Sequence, residues 1–346
     1  MKKITIAATI LLLVQLGLVA FTQITGRTDM SASPETPLLA VKSGEITGLT
    51  IFGPKKEKVV LAKRNGSWLL PETFDLPADQ KMVTTLIDKL EAMKQGFVVA
   101  SSKDAAKRFK VGEDNFERHL VVQHNDTVVG DIFIGTSPSF RQVHVRKAGS
   151  DNIVAVDLST YELETTGDKW LDKTLLQVSD KDLAGIDYAD FSLNRKKSEK
   201  KESPPVWQLA DSDNAQLDTK AIEDLANAIT SLTITSVIDP KKSSTIAIEK
   251  PDLQFTIHTE NNTNFEYAFV KKDDNTFAVK RSDKELLFVV NKATVEQLKK
   301  FNRDTLLVKK PPVPAAAPVN PPSVETVPAQ PALPAAPPLP AAPAEN

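Results

Sequence analysis

Apolar residues recur at three- and four-residue spacing in two stretches of the chain, each of which follows an aspartate. The apolar positions after Asp79 are Val83, Leu86, Ile87, Leu90 and Met93, and those after Asp218 are Ile222, Leu225, Ala226, Ile229 and Leu232. This spacing is typical of an amphipathic helix that packs one stripe against a sheet. The pattern therefore predicts helices over residues 78–94 and 218–232, with Pro77 at the start of the first helix.

Short runs of apolar and β-branched residues around both helices predict strands. In the first half they cover residues 48–52, 58–64, 97–100, 120–123, 128–134, 142–146 and 153–156, and a brief helix is expected over 103–109. In the second half they cover 185–188, 191–195, 207–209, 234–237, 253–258, 266–270, 276–280 and 286–290, before a helix over 292–301. This order predicts an α+β fold with a largely antiparallel sheet and its helices on one face.

The two halves repeat the same order of landmarks. Gly48 returns as Gly185 and Trp68 as Trp207, while the run at 172–176 after Trp170 resembles that at 303–307. The sequence therefore predicts two tandem duplicated modules, residues 44–178 and 179–309. Each is a mainly antiparallel sheet with one amphipathic helix packed on it and short extra helices. The predicted core landmarks are Gly48, Trp68, Leu86, Leu90, Trp170, Gly185, Trp207, Leu225 and Ile229; an exposed docking role for the two matched tryptophans is the alternative.

The start of the chain has the pattern of a membrane-spanning segment. Residues 4–21 carry no charge and follow Lys2 and Lys3, and as a helix they would span about 27 Å, close to the thickness of a bilayer core. We expect a signal anchor over residues 1–24 with a cytoplasmic N-terminus, followed by a stalk over 25–43. A cleaved signal peptide is the alternative. The residues expected in the anchor are Ile4, Leu11, Leu12, Leu13, Leu16 and Phe21.

The end of the chain has a different composition. Residues 311–346 hold 13 of the 23 prolines together with many alanines and almost no charge. Such a segment has too few large apolar side chains to form a core. We therefore predict a disordered tail over residues 310–346, which is either a passive extension or a spacer for a partner.

Composition and motifs restrict the chemistry. The chain has no cysteine and a net charge of −2, which argues against thiol chemistry, disulfides and a nucleic-acid partner. His119, His124, His144 and His258 match no metal-binding or catalytic spacing, and we interpret them as surface or strand-end residues. Nucleophile elbows and phosphate-binding loops are also missing from the sequence. We therefore predict no catalytic residues, no metal and no cofactor.

The densest basic run lies at residues 195–202, in the loop of the second predicted hairpin. Interleaved glutamates and the lack of aromatics argue against a nucleic-acid groove. A solvated loop is one interpretation, and contact with anionic lipid or a partner is the other. The candidate contact residues are Lys196, Lys197, Lys200 and Lys201.

The repeated landmarks resemble a known family. A hairpin, Gly66-Ser67-Trp68-Leu69, a helix led by Ala78-Asp79 and a closing run from Trp170 to Leu176 are similar to bacterial extracytoplasmic proteins grouped as the domain of unknown function 4340. The resemblance covers about residues 44–307, in two copies. It implies association with ABC-type transporters related to the gliding-motility system, and it brings no catalytic residues.

These observations together predict a non-enzymatic, membrane-anchored periplasmic protein. We expect it to act as a scaffold or accessory subunit of an inner-membrane, ABC-type transport complex. Its partners would be transporter subunits or other envelope proteins, with the bilayer bound through the N-terminal helix. The alternative is an extracytoplasmic lipid- or glycan-binding module with a groove between the two repeats.

Overall fold

The computed structural model of this chain describes residues 36–196, 206–212 and 216–308. The parts of the prediction that lie outside the described residues are the anchor (1–24), residues 25–35 of the stalk, three of the four candidate lysines (197, 200 and 201) and the tail (310–346). In the part that is described, no helix combines the length and apolar character needed to cross a membrane.

Nine strands within residues 48–157 form the first sheet. Its order is β4-β3-β2-β1-β6-β7-β8-β9-β5, and neighbouring strands run antiparallel. The strands are β1 Gly48–Phe52, β2 Lys58–Arg64, β3 Ser67–Leu70, β4 Leu76–Pro77, β5 Val98–Ala100, β6 Arg118–His124, β7 Thr127–Ile134, β8 Gln142–Lys147 and β9 Ile153–Asp157.

Eight strands within the described part of residues 183–291 form the second sheet, in the order β12-β11-β10-β14-β15-β16-β17-β13. Its neighbouring strands are also antiparallel. The strands are β10 Leu183–Asp187, β11 Ser192–Lys196, β12 Val206–Leu209, β13 Ile234–Val237, β14 Leu253–Thr259, β15 Asn264–Lys271, β16 Thr276–Arg281 and β17 Phe288–Asn291. Without the short β4, the first sheet has the same order, so each strand has a positional counterpart. The prediction of mixed α and β structure built on antiparallel sheets is confirmed.

Few helices accompany the sheets. Within the described residues they are α1 Gln80–Ala92, α2 Lys103–Arg108, α3 Gly167–Trp170, α4 Thr219–Thr230, α5 Pro240–Ser243 and α6 Lys292–Leu298. Short 3₁₀ turns lie at Ser43–Glu45, Thr160–Glu162, Asp180–Asp182 and Arg303–Leu306. The two long helices, α1 and α4, are those that the apolar spacing predicts.

The start of α1 explains one difference from the prediction. Asp79 caps the helix by accepting the main-chain N–H of Met82 at 2.9 Å, which satisfies one of the free donors of the first turn. Pro77 lies before this cap, in β4 and opposite Leu69, and not in the first helical turn. The chain stays extended there because Ala78 N–H still donates to Trp68 C=O at 3.0 Å.

The apolar stripes of α1 and α4 pack on the inner faces of the sheets, and the buried side chains of both halves form one continuous cluster. The described residues from 36 to Leu307 belong to a single compact unit. Of the predicted landmarks, Trp207 is half-buried and packs on the edge of this cluster. The others are buried: Gly48, Trp68, Leu86, Leu90, Trp170, Gly185, Leu225 and Ile229.

Residues 167–178, which we call the junction segment, join the two sheets without a linker. Its first half closes on the first sheet, where Trp170 C=O accepts the N–H of Asp79 at 2.7 Å. Three residues further on, Lys173 C=O accepts the N–H of Ile234 in β13 at 3.1 Å. The chain therefore passes from the first sheet to the second within the few residues from Trp170 to Lys173.

Further contacts fix the second half of the junction segment. The buried hydroxyl of Tyr267 donates to Leu176 C=O at 2.6 Å, and the Arg281 guanidinium reaches Gln177 C=O at 3.5 Å. In the first half, the Asp168 carboxylate accepts the N–H of Val237. The junction segment is therefore held both by the burial of its apolar side chains and by hydrogen bonds to the second sheet. This favours movement of the two sheets as one body.

The hydrogen bonds also correct the alignment of the repeat. Leu306 C=O accepts the N–H of Asp218 at 2.9 Å, as Trp170 C=O does for Asp79. The counterpart of 303–307 is therefore 167–171, and not 172–176 as the letters suggest. The run 172–176 instead belongs to the start of the second half. Lys173 C=O accepts the N–H of Ile234 in the second half, just as Thr36 C=O accepts the N–H of Gln95 at 2.9 Å in the first half.

Candidate functional site

The four histidines lie apart, each with its own partner. His119 Nε2 lies 2.7 Å from Asp131 Oδ1, and its ring stacks on Phe133 with 4.3 Å between centroids. His124 bonds to the main-chain oxygen of Glu45. Within the described ranges, no three His, Asp or Glu side chains are placed to hold a metal ion.

His258 lies near the end of the interior strand β14, where its Nε2 is 2.6 Å from Asp187 Oδ2 and its Nδ1 is 2.9 Å from Asn264 Oδ1. Partial burial opposes the charged ring, but the hydrogen bonds outweigh it and raise the pKa of His258 above its ordinary value. Through Asp187 and Asn264, His258 links β14 to its two neighbouring strands, β10 and β15.

His144 differs from the surface position predicted for it. It is 6% exposed, on the face of the first sheet that α2 covers, and its ring stacks on Phe109 with 4.2 Å between centroids. Its Nδ1 lies 2.9 Å from Thr136 C=O. Burial lowers the pKa of His144, so the ring is neutral at pH 7 and fills space beneath the covering segment.

Exposed apolar side chains lie along the β8-β9-β5 side of the first sheet, a region that we call the apolar corner. Phe97, Val98 and Val99 at edge strand β5 are 44%, 51% and 48% exposed. Phe140 and Tyr161 are 88% and 83% exposed, and they flank the start of β8 and the end of β9. The register places Val98 opposite Val154, near the start of β9, whereas Phe140 and Tyr161 lie beyond the other end, where Gln142 pairs with Asp157.

The corresponding edge of the second sheet is covered. Its strand β13 is half-buried or buried along its length, because Asp168 and Lys173 of the junction segment bond to it. Strand β5 has no such neighbour among the described residues. An uncharged, proline-free edge strand with exposed apolar side chains is typical of a contact surface, since proteins usually protect such edges.

The remaining predicted contact site is only partly described. Lys196, at the end of β11, is exposed, and the other three lysines lie outside the described residues. Sequence reasoning missed the apolar corner, because residues 97–99 read as an ordinary strand. The signal was the absence of charge in residues 96–102.

Among the described residues, buried apolar side chains occupy the region between the sheets. Leu176, Leu183 and Val178 there are 0%, 0% and 7% exposed. The four surface grooves whose linings are described each draw on residues of one half of the chain. The geometry therefore defines a tandem α+β protein with a filled seam and an exposed apolar corner.

Comparison with known proteins identifies the family of this chain. Residues 68–251, more than half of its length, match the family described as Domain of unknown function (DUF4340). The chain belongs to this family. The match is one span that begins in β3, crosses the junction segment and ends before β14. No curated protein and no solved structure matches the chain.

Proposed function

We propose that this protein is a non-enzymatic, membrane-anchored extracytoplasmic scaffold or accessory subunit of an inner-membrane, ABC-type transport complex. The observation that carries the proposal is the set of hydrogen bonds by which the junction segment joins the two sheets, with the apolar corner left exposed on the first sheet. A rigid tandem body presents a broad surface at little entropic cost on binding. The corner supplies the apolar patch at which such contacts concentrate.

Two features of the sequence add the membrane to this proposal. The uncharged run at residues 4–21 after Lys2 and Lys3 has the length of a spanning helix. Residue 36, where the described part begins, bonds to Gln95, two positions before Phe97. The apolar corner thus lies beside the point where the chain arrives from the proposed anchor, which brings it close to a membrane partner.

Affinity purification of the full chain from membranes, in several mild detergents, tests the proposal. We expect an integral membrane transport subunit in a constant ratio to the bait, quantified by mass spectrometry. Phe140→Asp should reduce that ratio at least about tenfold, since a charge in a desolvated contact costs more than 1.4 kcal/mol. Val128→Asp is the matched control, because Val128 is 52% exposed at the opposite end of the same sheet. Absence of any membrane subunit, or equal loss in both variants, would contradict the proposal.

The location of the chain is tested separately. The native sequence contains no cysteine, so a single cysteine placed at Lys196 reports only its own compartment. A membrane-impermeant maleimide should label it in intact spheroplasts if the sheets lie outside the inner membrane. Labelling only after lysis would place them in the cytoplasm and refute this part of the proposal.

A further inference from the structure

The two sheets differ on their outer faces, which point away from α1 and α4. In each half, the segment after the edge strand folds back over this face: α2 and the residues after it in the first half, and α5 and the residues after it in the second. Matching strand registers pair the outer positions of the two sheets. By this register Phe133 corresponds to Ala268, Gly135 to Val270, and His144 to Ala278.

The outer face of the first sheet is filled. Gly135 lets the covering backbone lie directly on the sheet, because a Cβ at this position would overlap the main-chain oxygens of Phe109 and Lys110. Beneath that backbone, Phe133 and His144 are 5% and 6% exposed. A glycine and two large rings thus leave no space between sheet and cover.

The outer face of the second sheet is open. Val270 carries the side chain that Gly135 lacks, so its cover cannot approach as closely. Ala268 and Ala278 stand where the first sheet has the two rings, and Ala278 is buried against Ile238, Leu287 and Val289. Beside Val270 lies a groove of about 810 Å³, within the size range of small-molecule sites. We call it the outer groove, and its apolar lining includes Val237, Ile238, Ile246, Ala247, Val270 and Val289.

The charged side chains that line the outer groove are mainly lysines, and Asp273 and Asp274 lie next to two of them. Lys242, Lys271 and Lys272 line it, against one carboxylate, Asp239. That carboxylate accepts the Lys241 main-chain N–H at 2.9 Å as the cap of α5.

One of the three ammonium groups is unpaired among the described residues, and the other two form exposed ion pairs. Lys271 and Lys272 form exposed pairs with Asp274 at 3.2 Å and Asp273 at 3.0 Å, and such pairs contribute little and exchange readily. Lys242 has no ion-pair partner in the described part of the chain. An apolar floor edged by ammonium groups complements a molecule with an apolar chain and an anionic end.

We propose that the outer groove binds a single-chain anionic amphiphile. The acyl chain lies on the apolar floor, and its carboxylate or phosphate end meets Lys242 and its neighbours. This activity is independent of the transport scaffold, since its surface lies on the second sheet and the apolar corner lies on the first. It also differs from a groove between the repeats, because every lining residue belongs to the second half.

Photocrosslinking maps the site directly. The full chain is reconstituted in nanodiscs of zwitterionic lipid, incubated with dodecanoate carrying a diazirine, irradiated and digested. Mass spectrometry should find adducts on peptides covering residues 235–247 and 270–276, and excess dodecanoate should compete them away. Ala247→Trp places an indole in the groove from an exposed position and should reduce these adducts at least about tenfold, because it removes the apolar contact. Ala247→Ser is the matched control and should leave them unchanged.

The charge requirement has its own variant. Lys242→Glu changes an exposed side chain and should reduce adducts of the acid about threefold to fivefold, while adducts of a diazirine dodecanol stay constant. Equal thermal midpoints for all variants exclude unfolding as the cause. Adducts confined to residues 1–35, spread evenly over the chain, or unchanged by Ala247→Trp would overturn the proposal.

Discussion

Removal of one hydroxyl group should weaken the bond between the junction segment and the second sheet. Tyr267 is 1% exposed, and its hydroxyl donates to Leu176 C=O at 2.6 Å. In Tyr267→Phe the ring stays in place, but a buried carbonyl loses its donor. A net hydrogen bond contributes about 0.5–1.5 kcal/mol, and an unsatisfied buried group costs about 1–3 kcal/mol. We expect the free energy of unfolding to fall by about 1–2 kcal/mol.

Tyr188 provides the matched control for this change. Both tyrosine rings stack on Phe255, with centroid distances of 5.2 Å for Tyr188 and 5.0 Å for Tyr267. The Tyr188 hydroxyl, however, is buried without a hydrogen-bond partner among the described residues, and burial raises its pKa. Tyr188→Phe removes an unsatisfied polar atom, so stability should stay constant or rise by up to about 1 kcal/mol.

Urea unfolding followed by far-ultraviolet circular dichroism measures both variants. The slope of unfolding free energy against urea should stay that of the wild type, since neither variant changes the surface exposed on unfolding. Equal destabilisation of the two variants would mean that the hydroxyl bond to Leu176 does not hold the junction. A loss only in Tyr188→Phe would refute the reasoning altogether.

Two further changes test the local arguments. Gly135→Ala should destabilise the protein by more than about 2 kcal/mol, because its Cβ would overlap the covering backbone; Gly44→Ala, with open space around its Cβ, should have little effect in the same thermal melts. His258→Gln should cost more stability at pH 6 than at pH 8.5. Its partner Asp187 helps to raise the pKa of His258 in the folded state, so the stabilisation is complete below about pH 6.5 and is lost as pH rises through the raised pKa. An equal loss at both pH values would show that the charge of the ring is irrelevant.

Periodicity alone located the elements that carry the core. The stripe from Val83 to Leu90 predicted α1 to within two residues at each end, because Asp79 provides a cap and helices of this length bury one face. All strands except β3 and β4 were placed to within two residues at their ends, since apolar residues that alternate with polar ones leave few choices of register. The preference of proline for the first helical turn led to the wrong position for Pro77, because the sequence does not show that Pro77 pairs with Leu69 in the sheet.

The junction and the outer groove could not be derived in this way. Matching letters paired 172–176 with 303–307, whereas the hydrogen bonds of Trp170 and Leu306 define a different alignment. The groove is lined by Val270, which stands where the first half has Gly135. This correspondence is visible only from the pairing of β7 with β8 and of β15 with β16, and the sequence of either half does not show it.

Native-state hydrogen exchange at rising urea concentration tests most directly whether the two sheets form one body. Peptides from β6 and β7 report the first sheet, and peptides from β14 and β15 report the second. If the junction segment couples the sheets as its hydrogen bonds and buried leucines indicate, the slowest amides of both will exchange through one global opening with the same free energy and urea dependence. Exchange of the second sheet through a separate, lower-energy opening, while the first stays protected, would contradict the account.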